Sequence, residues 1–114
     1  MNCENIFTKI IKKKIKSKII YQNKKVTAFE DANPKSPIHI LIVPNKIIKS
    51  INKINKKNKN IIGTMAYTAI KIAKKFNFYK QGYRIVINCN KYGGQTIPHL
   101  HMHLLGGKIL GKFC

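Results

Sequence analysis

The chain's apolar residues follow two periods. Ile6, Phe7, Ile10 and Ile11 recur at helical spacing and mark a short first helix, with Asn5 as its N-cap. Lys12, Lys13, Lys14 and Lys16 follow, as suits a helix C-terminus and a solvated turn. A second stripe, Ile62, Met65, Ala66, Ala69, Ile72, Ala73 and Phe76, predicts a longer helix from about Asn60 to Phe76. Shorter apolar runs bounded by turn residues read as strands. Ile19–Tyr21 and Val26–Phe29 flank a polar turn over 22–25 and form a hairpin. Ile38–Val43 is nearly continuous in apolar residues and stops at Pro44, the pattern of a central strand interrupted only by His39. Tyr83–Asn88 is a further strand after the Gln81-Gly82 turn.

Between these elements, Glu30–Pro37 is a loop by its Pro, Asn and Asp content. Asn45–Asn60 is low-complexity Lys, Asn and Ile, read as a solvated connection with room for one helical turn. Met1–Glu4 reads as a frayed end. Cys89–Gln95 holds the Gly93-Gly94 pair, a tight loop able to bring backbone N–H groups close to a ligand. The order helix, hairpin, strand, helix, strand, loop, strand points to an α+β fold, with an antiparallel sheet rather than a doubly wound one.

The last strand breaks the rule that one face should be plainly apolar and the other plainly solvated. Residues 99–105 alternate as His99, Leu100, His101, Met102, His103, Leu104, Leu105. On a strand, His99, His101 and His103 share one face, and Leu100, Met102 and Leu104 share the other. Simple packing gives no reason for an imidazole face. Imidazole titrates near neutrality and can act as base, acid, nucleophile or metal ligand.

Composition narrows the setting. A chain of 114 residues is one domain, here taken as 1–114. No apolar run has the length of a membrane span, and no signal-peptide pattern is present, so no membrane partner is expected. Cys3, Cys89 and Cys114 are odd in number, scattered and outside any metal-like spacing, which favours a reducing, cytoplasmic compartment. The formal charge is +20, with only Glu4, Glu30 and Asp31 opposing 23 basic residues. Such an excess can mark a nucleic-acid partner. The lysines spread over every predicted surface, however, and Lys, Ile and Asn make up roughly half the chain. Compositional drift is the preferred account, with non-specific polyanion attraction as its by-product.

Three uses fit the histidine face. A metal site is one, since three-histidine zinc sites exist. Alternate residues on a strand lie about 6–7 Å apart, though, which suits two ligands better than three. Nucleotidyl or phosphoryl transfer is the second use, with one imidazole attacking and its cationic neighbours offsetting phosphate charge. The preceding glycine loop fits this use. A buried structural cluster is the third and least favoured, because imidazoles without compensation are costly to bury. His39 alone would be read as a structural residue.

These residues resemble the histidine triad family, whose His-φ-His-φ-His-φ-φ signature (φ apolar) is met at every position from His99 to Leu105. Ile6–Ile11, Thr27–Asp31, Ser36–Pro44, Gly82–Arg84, Gly93–Gln95 and Leu105–Gly107 extend the resemblance to the purine nucleoside phosphoramidase branch. It implies a HIT-like antiparallel sheet of about five strands, one main helix and a short N-terminal helix. It also implies a homodimer with a joined sheet, no metal and no cofactor. The implied activity is hydrolysis of the P–N bond of purine nucleoside 5′-phosphoramidates and of related aminoacyl adenylates. His101 would be the nucleophile carrying a nucleotidyl group, and His103 would contact phosphate oxygens and assist the leaving amine. His99 and His39 would orient the triad. Asn88, Gly94, Gln95 and Thr96 match the phosphate side, Asp31 the carboxylate that binds the ribose, and Ile6, Phe7, Ile10, Phe29 and Leu41 an apolar base pocket, with Ala32 and Met102 also nucleotide-binding.

The resemblance has departures. Members that bind a structural zinc do so through Cys-x-x-Cys near the N-terminus. Asn5 and Thr8 stand at those positions here, so no such zinc is expected. Pro98 stands where an aromatic residue is common, and the chain stops at Cys114, short of the tail many members carry. The alternative to an enzyme is a nucleotide- or polyanion-binding module without turnover.

Overall fold

The computed structural model describes residues 4–112. Met1–Cys3 of the expected frayed end lie outside the described residues, as do Cys3 and Cys114 as candidate thiols. Helix α1 spans Ile6–Ile11, and strands β1 (Ile19–Gln22), β2 (Val26–Glu30) and β3 (Ile38–Pro44) follow. After a single 3₁₀ turn at Ile51–Lys53 come helix α2 (Asn60–Lys75), β4 (Arg84–Val86) and β5 (Met102–Gly106). The five strands form one antiparallel sheet in the order β1-β2-β3-β5-β4. This is the α+β arrangement expected from the sequence, with β3 and β5 at its centre.

Local chemistry explains each element. The Asn5 side chain accepts the Thr8 N–H at 3.0 Å while the Thr8 hydroxyl oxygen accepts the Asn5 N–H at 2.7 Å. This reciprocal capping box starts α1. Asn23 Oδ1 accepts the N–H groups of Lys25 and Val26 and closes the β1–β2 turn. Asn77 takes a left-handed conformation (φ 61°) just past α2 and stops it.

Side-chain alternation divides the sheet into two faces. Val26, Ala28, Ile40, Ile42, Met102 and Leu104 pack under α2 against Met65, Ala69, Ile72 and Ala73. Phe29, Leu41 and Val43 point the other way and form a second, smaller cluster with Phe7 and Ile10 of α1. His39 and His103 fall on this second face.

Three expectations need correction. The histidine strand does not begin at His99. Pairing of β3 with β5 ends at Ile42↔Met102, and Pro44 has no N–H with which to extend the ladder. Instead the His99 N–H bonds Ile97 O and the Leu100 N–H bonds Ile48 O. The side-chain alternation still holds: Leu100, Met102 and Leu104 are all buried beneath α2. Strand β4 covers three residues rather than Tyr83–Asn88, because its pairing with β5 ends at Val86↔His103. Phe76 is not part of the buried stripe. It sits at the C-cap of α2 and is 50% exposed, while Thr68 is buried with its hydroxyl donated to Thr64 O at 2.8 Å.

Candidate active site

The register of β3 against β5 sets His103 opposite Leu41 and Leu105 opposite His39. His39 and His103 are therefore diagonal neighbours on the face away from α2, with rings 5.2 Å apart. The His101 ring stacks edge-on to His103 at 5.1 Å. Phe7 of α1 packs edge-on to both His99 (5.7 Å) and His101 (5.0 Å). All four histidines thus form one cluster, with Phe7 of α1 covering His99 and His101.

Hydrogen bonds decide where each ring carries its proton. A carbonyl oxygen only accepts. His99 Nε2 lies 2.8 Å from Pro44 O, so Nε2 carries the proton and Nδ1 faces the Asn5 amide at 3.2 Å with its lone pair. His101 Nδ1 lies 2.7 Å from His99 O, so that nitrogen is the donor and Nε2 of the neutral ring holds the free lone pair. His39 Nδ1 accepts the Lys35 backbone N–H at 2.9 Å, which puts the His39 proton on Nε2. That proton is directed to His103 Nδ1, 2.9 Å away. In its neutral form His103 then carries its own proton on Nε2. The Lys35–His39 chain thus ends on His103 as a donor, while the His99 carbonyl leaves His101 Nε2 as an acceptor.

Burial favours the neutral forms. His103 is pushed down to about 4 by loss of solvent first, then by the neighbouring His101 and His39, with Asp31 opposing. Burial also lowers His99, with the Pro44 carbonyl opposing it, and lowers His39, with the Asp31 carboxylate opposing it. Burial therefore works against the cationic neighbours expected for the attacking ring. Among the described residues no buried side-chain nitrogen or oxygen lacks a partner.

A family profile for the HIT domain matches residues 12–109. The chain belongs to the HIT family. It is 64% identical over 110 residues to a HIT-like protein of Buchnera aphidicola subsp. Baizongia pistaciae, covering 96% of this chain and 98% of that protein. It is 46% identical over 108 residues to the purine nucleoside phosphoramidase of Escherichia coli K12, covering 95% and 91% respectively. A solved histidine triad protein from Clostridium difficile superposes with a TM-score of 0.95 at 39% identity, over 99% of this chain and 98% of that one.

The other residues matched to the HIT motif fall into distinct places. Asp31, His39, Asn88 and His103 line one open cleft of about 280 Å³, with Asn33, Lys35, Val86 and Leu105. Asp31 lies against the histidine cluster, with its Oδ2 3.4 Å from His39 Nε2. Ala32 beside it is exposed. Phe7, Ile10, Phe29 and Leu41 are brought together, but as a buried cluster, whereas Ile6 is 50% exposed at its edge. Met102 points away from the site into the core under α2.

The glycine loop is built differently from an open anion cradle. The Gly94 and Gln95 N–H groups are taken by Lys91 O and Asn90 O within the turn. The Gln95 side chain binds Asn90 N, Lys49 O and Ile97 O, and with Thr96 it lines a separate lysine-bearing groove with Lys49 and Lys53. Asn88 Nδ2 ties the loop back to the cleft by donating to Gly93 O at 2.7 Å.

Donor atoms of Asp31, His39 and His103 lie within 4.8 Å of one another, close enough to suggest a metal. The hydrogen-bonding of His39 argues otherwise. Coordination through Nε2 would place its proton on Nδ1, against the Lys35 N–H that now donates there. The set fits a proton-sharing cluster better. At the N-terminus, Asn5 and Thr8 spend their oxygens on the capping box, not on a metal.

Sequence reading missed two contributors. The Lys35 contact is made by backbone and leaves no side-chain signal. Asn5 was legible as a cap, and its second contact, to a residue 94 positions away, was not.

Proposed function

We propose that the chain is a purine nucleoside phosphoramidase, hydrolysing the P–N bond of purine nucleoside 5′-phosphoramidates and related aminoacyl adenylates through a nucleotidyl group on His101. The observation that carries this reading is the His101 Nδ1–H bond to the His99 carbonyl, which leaves Nε2 as a free nucleophile beside a donor on His103. Nε2 attacks the α-phosphorus, and the P–N bond breaks with its electron pair leaving on the amine, which takes a proton from water. His103 Nε2–H donates to a phosphoryl oxygen where negative charge builds. Water then displaces His101 and releases the nucleoside monophosphate, so one difficult displacement becomes two easier ones.

In this reading Asn88 serves the phosphate from the cleft, Asp31 the ribose, and the exposed α1 edge at Ile6, backed by the buried Phe7, Ile10, Phe29 and Leu41, the base. The chain acts as one domain in a cytoplasmic setting. It pairs as a homodimer through the edge strand β4, whose outer side has no neighbour in the sheet. The test is to trap the nucleotidyl enzyme with a purine phosphoramidate and locate the adduct by mass spectrometry. An adduct on His101, with turnover unaffected by a chelator, supports the reading, and an adduct elsewhere overturns it.

The formal charge of +20 favours a second reading, a polyanion-binding module. Lys24, Lys25, Lys46 and Lys57 line a groove of about 600 Å³ whose lining includes none of the histidines. Steep salt dependence of RNA binding with no turnover would select it.

A further inference from the structure

We propose that Asn5 is a positioning residue for the triad. Its side-chain amide supplies the donor that His99 Nδ1 needs once Nε2–H is given to Pro44 O, and so holds the residue whose backbone carbonyl accepts from the His101 ring. The second half of this statement rests on His101 being the nucleophile, and the first half does not.

The orientation of the Asn5 amide follows from both of its ends. At the helix end, Oδ1 accepts the Thr8 N–H at 3.0 Å, so Nδ2 is the group turned to His99. At the histidine end, His99 Nε2 must donate to Pro44 O, so Nδ1 needs a donor, and Nδ2 supplies it at 3.2 Å. The two arguments agree. His99 is thereby pinned between α1 and the end of β3, fully buried at 0% exposure, with both nitrogens satisfied. Its backbone is held as well, by its N–H to Ile97 O at 2.8 Å. The carbonyl that accepts from His101 is therefore set by a residue whose ring Asn5 orients. Phe7, in the first turn of the same short helix, packs on both rings. The capping box thus does two jobs: it starts α1, and it holds the N-cap side chain in the rotamer that meets His99.

The chemistry demands a donor at this position. An acceptor there would require His99 to hold protons on both nitrogens, one for Pro44 O and one for the new oxygen. The ring would become a buried cation next to His101 and would lower the basicity of the attacking nitrogen.

Asn5→Asp and Asn5→Ser separate this role from helix capping, because Asp and Ser are also good N-caps. Long-range ¹H–¹⁵N correlation of the imidazoles should show wild-type His99 as the neutral Nε2–H form at pH 7. In Asn5→Asp, His99 should give the imidazolium pattern at the same pH. Turnover of an adenosine phosphoramidate should drop roughly tenfold or more in kcat, with KM little changed. Asn5→Ser should keep His99 neutral and lose less. A wild-type His99 protonated on Nδ1, or an Asn5→Asp protein whose His99 stays neutral, overturns the inference whatever the activity. A correct His99 pattern without phosphoramidase turnover in the wild type would sink the proposed function alone. Should either variant unfold, the wild-type spectrum still decides the tautomer.

Discussion

His101 Nδ1 lies 2.7 Å from the carbonyl oxygen of His99, and this bond separates two rings that look equivalent in the sequence. It leaves the Nε2 lone pair of His101 as the ring's acceptor, while His103, fed by the His39 Nε2–H at 2.9 Å, presents a proton. Removing the ring at 101 should remove the chemistry and spare the fold. His101→Ala is expected to cut kcat for an adenosine phosphoramidate by ~10⁴-fold or more while leaving the circular dichroism spectrum native. Residual turnover near the wild-type rate would take the nucleophile's role from His101.

His39 acts on the substrate through His103, so its loss should cost less than loss of His101. His39→Ala leaves His103 Nδ1 without its donor and frees the Lys35 N–H. We expect kcat to fall on the order of tenfold to a hundredfold, by analogy with other histidines that lose their orienting partner. His39→Gln, whose amide can reach toward the position of Nε2, should recover part of that loss. Equal losses in the two variants would show that bulk rather than hydrogen bonding is what His39 supplies.

The same burial makes stability depend on pH. His103 titrates at about 4 in the folded protein against 6.5 for an ordinary imidazole, and His99 and His39 are lowered too. Between those values the unfolded chain binds protons that the folded one refuses. Stability is thus complete above pH 6.5 and is lost as pH falls toward 4. With only three carboxylates in the chain, the histidines should dominate this acid limb. His103 alone should contribute roughly 2 kcal/mol. Urea melts at pH 7.5 and 4.5 should show the loss, and His103→Gln should flatten it. An unchanged midpoint would mean that the site accepts charge freely.

Much of this architecture is legible in the chain because it is local. The stripe from Ile62 to Ala73 shows α2, the nearly continuous apolar run from Ile38 to Val43 shows β3, and Asn5 before Ile6 shows the first cap. The histidine face is also legible, since alternation fixes side-chain direction even where strand pairing fails at His99. What cannot be read is whatever depends on partners distant in sequence. Nothing near His103 says that its proton arrangement is dictated by His39 and, behind it, by a backbone N–H at Lys35. Nothing near Gly94 says that its N–H will be spent inside its own turn. The loop over 30–37 is legible from its Pro, Asn and Asp content, but nothing in it says that Asp31 lies 3.4 Å from His39 Nε2.

Gly93 carries the tightest constraint in the loop before the triad. A Cβ there would meet Cys89 O at 2.4 Å and Cys89 N at 2.7 Å, both backbone atoms that cannot swing aside. The loop would have to open. Opening it would strain the Asn88 Nδ2 bond to Gly93 O and, through Asn90, the Gln95 side chain that staples the loop to Lys49. Gly93→Ala should therefore destabilise the protein by about 1–3 kcal/mol, through steric strain rather than lost burial, since the site is exposed. Its effect on catalysis should appear mainly in KM, because Asn88 lines the cleft and the reacting rings are held by Asn5, Lys35 and β3 instead. Gly94→Ala makes the comparison. It has space for a Cβ but a φ of +83°, so it should cost conformational strain without the clash and perturb KM less. Denaturant melts and steady-state kinetics on the pair check both halves, and a larger KM effect from Gly94→Ala would put the critical contact one residue later.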